Sequence, residues 1–183
     1  MVIDEKGLLR AMKEAYKTTG YKVAADDSTG VDMLVIGTPL WVAEIEQDNV
    51  PRKVLGLIAE HIGTLPLPGQ AWQVHKKETQ TEIHNVSVGL LEDLKKAIAS
   101  AKIKRTSLNW NGYQLWQCPK TLEVFMVPPG NEDILDNYKR EVWLVGGMLY
   151  ISGVASKLYI SPSKVSQSES AALTHLAGMQ WVE

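Results

Sequence analysis

Four histidines, one cysteine and a few strand-borne glutamates are the groups in this 183-residue chain that could do chemistry. His61, His75, His84 and His175 are scattered, and no HExxH, paired CxxC or Asp-rich loop supplies ligands at metal-binding spacing. His75 and His84 are an odd number of residues apart, so on one regular strand they point to opposite faces. The expectation is therefore no metal site and no cofactor. Cys118 precedes Pro119 at the end of a strand, with no sequence-adjacent histidine or helix N-terminus to activate a thiolate. His175 could reach it only through the fold, and the ordinary role of a lone cysteine is that of a small buried hydrophobe.

Glu44 and Glu46 share one strand face, a spacing that serves acid–base catalysis or an exposed edge equally well. Glu60 and His61 lie on a helix whose apolar arc is Val54, Leu55, Ile58 and Ile62. His61 flanks that arc and Glu60 faces away, as on a solvated helix face. Gly146-Gly147 is followed by strand-like sequence rather than a helix N-terminus, and no Walker, GxGxxG or GxSxG pattern occurs.

Binding is better represented than catalysis. Six tryptophans stand against one phenylalanine, and a Trp ring buries apolar area while its N–H seeks a partner. Gln70, Trp72 and Gln73 mix indole with amide, as do Asn109, Trp110, Asn111, Gln114, Trp116 and Gln117. Such mixtures suit a neutral polar ligand or a protein interface. The candidate binding residues are Trp72, Asn109, Gln114 and Trp116. A rival surface is the basic run Lys95, Lys96, Lys102, Lys104 and Arg105 beside the Trp110 hairpin, the pattern of single-strand binders. Against it, 19 basic and 21 acidic residues leave a net charge of −2, with no global field for nucleic acid or anionic membrane.

The elements that must position these groups follow from periodicity. Asp4 to Thr19 has apolar residues at helical spacing and is closed by Gly20. Tyr21–Ala25, Val31–Gly37 and Trp41–Gln47 alternate as strands. A second helix opens at Pro51 and ends at Gly63, and Ala71–Lys77 with Thr79–Val86 is extended. A third helix is expected from Val88 to Ala101, with lysines late. Asn111-Gly112 marks a two-residue hairpin in which Leu108, Trp110, Tyr113 and Leu115 form the core face, and Ser107, Asn109, Gln114 and Trp116 the polar one. Leu122–Val127, Glu141–Val145, Met148–Ser152 and the recurring Leu-Tyr-Ile-Ser at 149–152 and 158–161 are further strands. A short helix is expected over Asn131–Tyr138 and a last helix over Gln167–Ala177.

The order α-β-β-β-α-β then α-β-β-β-β-α implies an α+β protein with antiparallel sheets and helices packed on one face. An N-terminal half at 1–86 and a C-terminal half at 87–183 pack closely or form one domain. The acidic start Asp4-Glu5 without an apolar run, and glycines interrupting Val142–Ser156, imply a soluble chain. A single cysteine fits the cytoplasm. The function expected is non-enzymatic binding of a protein partner through the Trp-bearing sheet surface, with a second copy as one such partner in a homodimer contacting through Trp116. The alternatives are a hydrolase-like enzyme with a His/Glu site and a nucleic-acid accessory protein.

Overall fold

The computed structural model describes residues 1–76, 81–82, 101–136 and 140–163. Helix α1 (Glu5–Lys17) starts where the Asp4 carboxylate accepts the Gly7 N–H at 2.7 Å, with Glu5 in its first turn and Lys17 in its last. Leu8, Met12 and Ala15 give it a buried stripe. The N–H groups of Thr18 and Gly20 both return to the Ala15 carbonyl, and Gly20 at φ +78° turns the chain into β1 (Tyr21–Asp26). Strands β2 (Met33–Thr38) and β3 (Trp41–Glu46) follow. Helix α2 (Arg52–Ile62) opens after Pro51, ends on left-handed Gly63, and buries Val54, Leu57, Ile58 and Ile62.

The remaining described strands are β4 (Ala71–Val74), β5 (Thr81–Glu82), β6 (Ala101–Trp110), β7 (Tyr113–Gln117) and β8 (Val124–Val127), then β9 (Val142–Val145), β10 (Met148–Ser152) and β11 (Ser156–Ile160). A 3₁₀ turn (Asn131–Ile134) lies between β8 and β9. The strands form one antiparallel sheet in the order β5-β4-β1-β2-β3-β11-β10-β9-β6-β7-β8, so the class is α+β. Asn111 and Gly112 take φ +49° and +85°, which closes the two-residue turn and pairs Trp110 with Tyr113. The recurring Leu-Tyr-Ile segments are antiparallel neighbours, with Tyr150 opposite Tyr159.

One sheet face and both helices enclose the main core, where Val23, Ile36, Ile45, Leu149 and Leu158 meet Leu8, Met12, Val54 and Ile58. Helix α1 touches α2, β1 and the 3₁₀ turn. Ser163, just past β11, donates its N–H to the Met126 carbonyl of β8 at 2.8 Å. The opposite sheet face carries a smaller cluster of Val42, Val145, Met148 and Tyr159, with Trp143 and Tyr150 beside it. No helix among the described residues is long and apolar enough to cross a membrane.

Three expectations are corrected. Ala101 opens β6 instead of ending a helix, because Ala101, Lys102 and Ile103 pair with Leu144, Trp143 and Val142 of β9. The helix expected over Asn131–Tyr138 is, where described, a single 3₁₀ turn. In the hairpin, the register slips by two residues: Asn109 faces Gln114, but Arg105 rather than Ser107 faces Trp116. A shift of two preserves the alternation, so Leu108, Trp110, Tyr113 and Leu115 still share one face, but the main core lies on the Trp116 side. Leu108, Trp110, Tyr113 and Leu115 form a satellite cluster with Met126 instead. The third and last helices otherwise fall outside the described residues.

The two halves are stitched by the first residues of the chain. Asp4 N–H donates to the Ile134 carbonyl at 2.8 Å and Asp136 N–H to the Val2 carbonyl at 2.9 Å. A β-carbon on Gly7 would lie 1.7 Å from the Asp133 carbonyl oxygen. Alanine is intrinsically better in a helix by about 1 kcal/mol, yet here the backbone approach forbids it. Gly7→Ala should lower the unfolding free energy by about 3 kcal/mol, the upper range for overpacking against backbone. Denaturant titration checks this, and an unchanged midpoint would show that the contact can open without loss.

Candidate functional site

The outer face of α1, the β2–β3 turn and the loop after β8 enclose a groove of about 320 Å³. Helix α1 contributes Arg10, Ala11, Glu14 and Ala15, followed by Thr18 and Thr19. The small side chains at 11 and 15, one turn apart, leave the space. Thr38, Leu40 and Trp41 line the wall given by the turn, and Pro128 to Asn131 line the wall given by the loop. Gly130 at φ +81° redirects the chain into the 3₁₀ turn and sets Asn131 against the groove.

Asn131 is 8% exposed, and its Nδ2 is buried without a hydrogen-bond partner. Leaving such a donor unmet costs about 1–3 kcal/mol. The charges nearby are Arg10, which holds Asp133 at 2.9 Å, and the exposed Glu14. Thr38 Oγ1 accepts the Leu40 N–H at 3.1 Å, and its own O–H is a second donor on the wall. The groove thus combines an apolar floor with polar and charged side chains on its walls.

The titratable cluster lies elsewhere. Tyr21 Oη is 2.7 Å from His61 Nδ1, and the Tyr16 ring stacks on His61 with centroids 3.8 Å apart. Burial, and the Tyr16 hydroxyl beside it, hold the Tyr21 hydroxyl well above its ordinary range, so it stays protonated, and the His61 tautomer sets which of the two groups donates. Burial lowers the His61 pKa, opposed by Glu60 and reinforced by Lys13. With His61 only 8% exposed and Tyr21 1%, the cluster ties α1, β1 and α2 together inside the core. His61 is therefore a buried core residue, not a group on a solvated face.

The residues singled out from sequence are dispersed. Trp116 is fully buried in the main core, so it offers no surface contact; the Arg105 guanidinium lies 5.6 Å from its ring centroid. Trp72 is half-buried and packs against the same core. Asn109 and Gln114 serve the hairpin itself. Asn109 Oδ1 accepts the Gly112 N–H at 3.0 Å, and Gln114 Nε2 donates to the Thr106 carbonyl across the bulge. Of the basic run, Lys102 pairs with Glu141 and Arg105 with Glu132, while strand alternation turns the two to opposite sheet faces. Lys104 is exposed, and Lys95 and Lys96 lie outside the described residues.

Glu44 and Glu46 have different surroundings. Glu44 is 3% exposed, whereas Glu46 accepts the Asn49 side-chain amide at 3.3 Å. Cys118 is buried; burial raises its thiol pKa, but hydrogen bonds from Thr121 and the Lys120 N–H bring it below the ordinary value. Among the described residues no three His, Cys, Asp or Glu side chains converge as metal ligands. His75 is held to the Thr18 carbonyl at 2.8 Å, and His84 and His175 lie outside the described residues. The groove residues carry no motif; Pro128-Pro129-Gly130 reads only as a strand terminator, and Asn131 as a helix start. Comparison with family models, curated proteins and solved structures finds no match.

The His61 environment sets a pH dependence. The folded ring binds a proton less readily than an ordinary histidine of pKa 6.5, so just below that value the unfolded chain binds more protons. The contribution of His61 to stability is complete above pH 6.5 and declines as the pH falls through the folded value. Stability measured from about pH 7.5 down to about pH 5 should fall more steeply for the wild type than for His61→Gln. Parallel curves would remove His61 as the titrating group.

Proposed function

We propose that this chain is a non-enzymatic binding protein whose recognition element is the groove between α1, the β2–β3 turn and the loop after β8. The observation that carries this reading is the cavity of about 320 Å³ itself, with Trp41, Pro128 and Pro129 beside Arg10, Glu14 and Thr38. A cavity of small-molecule size with an apolar floor and a few polar groups on its walls is what a ligand site requires. The sheet surface bearing Trp72, Asn109, Gln114 and Trp116 is the weaker candidate, because its amides are engaged in the hairpin and Trp116 is enclosed.

The test is a fragment screen by two-dimensional NMR on the full chain. Neutral binders should move the signals of Thr18, Thr38, Trp41 and Asn131 together. Binders that instead perturb Tyr16, Tyr21 and His61 would favour a catalytic His site, and oligonucleotides that perturb Lys104 and Arg105 would favour the nucleic-acid reading.

The unmet Asn131 donor carries a cost within the fold itself. Asn131→Leu removes the unmet N–H and should leave stability unchanged or raise it by about 1 kcal/mol in urea denaturation. A loss of that size would make the amide a structural group.

A further inference from the structure

We propose that the solvent face of α1 binds the phosphodiester backbone of a nucleic acid through the ammonium groups of Lys6, Lys13 and Lys17. This surface stands whether or not the neighbouring groove takes a ligand. Lys6, Arg10, Lys13 and Lys17 follow one another at spacings of four, three and four residues, and all four are exposed. At 3.6 residues per turn they fall within an arc of about 60° and run about 17 Å along the helix.

Helix stability does not select this stripe. Its successive members are neighbours of like charge at i,i+4 or i,i+3, which destabilises a helix. Lys6 sits in the first turn, where the macrodipole disfavours a cation. Asp133 holds Arg10 at 2.9 Å, but among the described residues no carboxylate forms an ion pair with Lys6, Lys13 or Lys17. The acidic groups around the helix are otherwise placed. Asp4 accepts the Gly7 N–H, Glu5 is engaged by Lys53 at 3.5 Å, and Glu60 of α2 and Lys13 both act on His61 without pairing with each other. Glu14 flanks the Arg10 edge of the arc, on the groove side. Glu14 and Asp133 weaken the positive field at that edge, so the phosphate contacts fall to the three lysines.

The surroundings of the stripe select its partner. A protein interface is depleted in lysine and anchored by apolar or aromatic side chains. A helix that lies on a membrane inserts an apolar face. The apolar face of α1, with Leu8, Met12 and Ala15, is instead in the core. Among the described residues, none of the exposed large apolar side chains belongs to α1. A phosphodiester backbone requires only a line of cations, and about 17 Å spans several phosphates at roughly 3.4 Å of rise per strand. The net charge of −2 does not oppose this, because charges beyond about 8 Å are screened at physiological salt. Contacts to phosphate alone carry no base readout, so binding is independent of sequence.

The experiment is fluorescence anisotropy of a labelled DNA duplex of about twenty base pairs titrated with the full chain. Binding should weaken roughly fortyfold between about 50 and about 200 mM salt, from the slope of about −3 that three phosphate contacts give on duplex DNA. Lys13→Gln should weaken binding and reduce that slope by about one. The triple variant Lys6→Gln, Lys13→Gln, Lys17→Gln should abolish binding while its circular dichroism matches the wild type, since Gln is as good a helix former as Lys. Lys104→Gln, exposed on β6, should change nothing, and a second duplex of different sequence should bind equally.

No binding at the lower salt, or a triple variant that binds like the wild type, overturns the proposal. An equal loss from Lys104→Gln would make the attraction diffuse rather than that of α1. A preference of about tenfold or more between the duplexes would replace phosphate contact by base readout. Tighter binding at the same salt to phosphatidylserine vesicles, or to polyglutamate, would assign the stripe to a membrane surface or to an acidic protein instead.

Discussion

Between Gly7 of the first helix and the carbonyl of Asp133 there is no room for a methyl group, and the position of α1 follows from that contact. Asp4 caps the helix with its side chain, while its N–H reaches the Ile134 carbonyl. Ile3 is bridged to Leu135, and Val2, fully buried, donates its N–H to Ser156 Oγ. The first helix is thus held at one end by the second half of the chain and at the other by α2, through Tyr16 on His61.

The groove is a by-product of the same arrangement. Leu8 and Met12 face inward, so the outer side of α1 turns Ala11 and Glu14 toward the β2–β3 turn and the proline loop. The loop cannot close the gap. Pro128 and Pro129 are stiff and lack N–H donors, and the 3₁₀ turn beyond them is anchored by Arg10–Asp133 and by the bridge to residue 3. The groove walls therefore belong to elements fixed for reasons of packing, which favours a preformed site over one assembled by the ligand.

Local chemistry was legible in the sequence wherever one short segment decides its own conformation. Asn111-Gly112 accepts positive φ and gives its turn. Gly63 ends α2, and the Leu-Tyr-Ile segments pair because each carries the same alternation. What alternation could not decide was which side of a strand is inside. In the β6–β7 hairpin both faces carry large apolar groups, and Trp116 rather than the four-residue face enters the main core. The bulge was hidden as well, since it is stabilised by Thr106, whose hydroxyl donates to the Leu115 carbonyl and accepts the Leu108 N–H. The site was least legible of all, because its residues are brought together from three segments and no single one has a chemical spacing.

The bond from Val2 to Ser156 also has a consequence in time. Its partners are 154 positions apart, and the bridge between Ile3 and Leu135 is nearly as long-ranged. Contacts of such separation form slowly, because the loop they close must be ordered before they give any return. On a ribosome adding roughly 5–20 residues per second, Val2 waits on the order of ten seconds for Ser156 to be made. During that interval the apolar stripe of the first helix has only the early strands and α2 to cover it. The nascent chain is therefore exposed to off-pathway association, and to chaperones that recognise apolar helices, until β11 is complete.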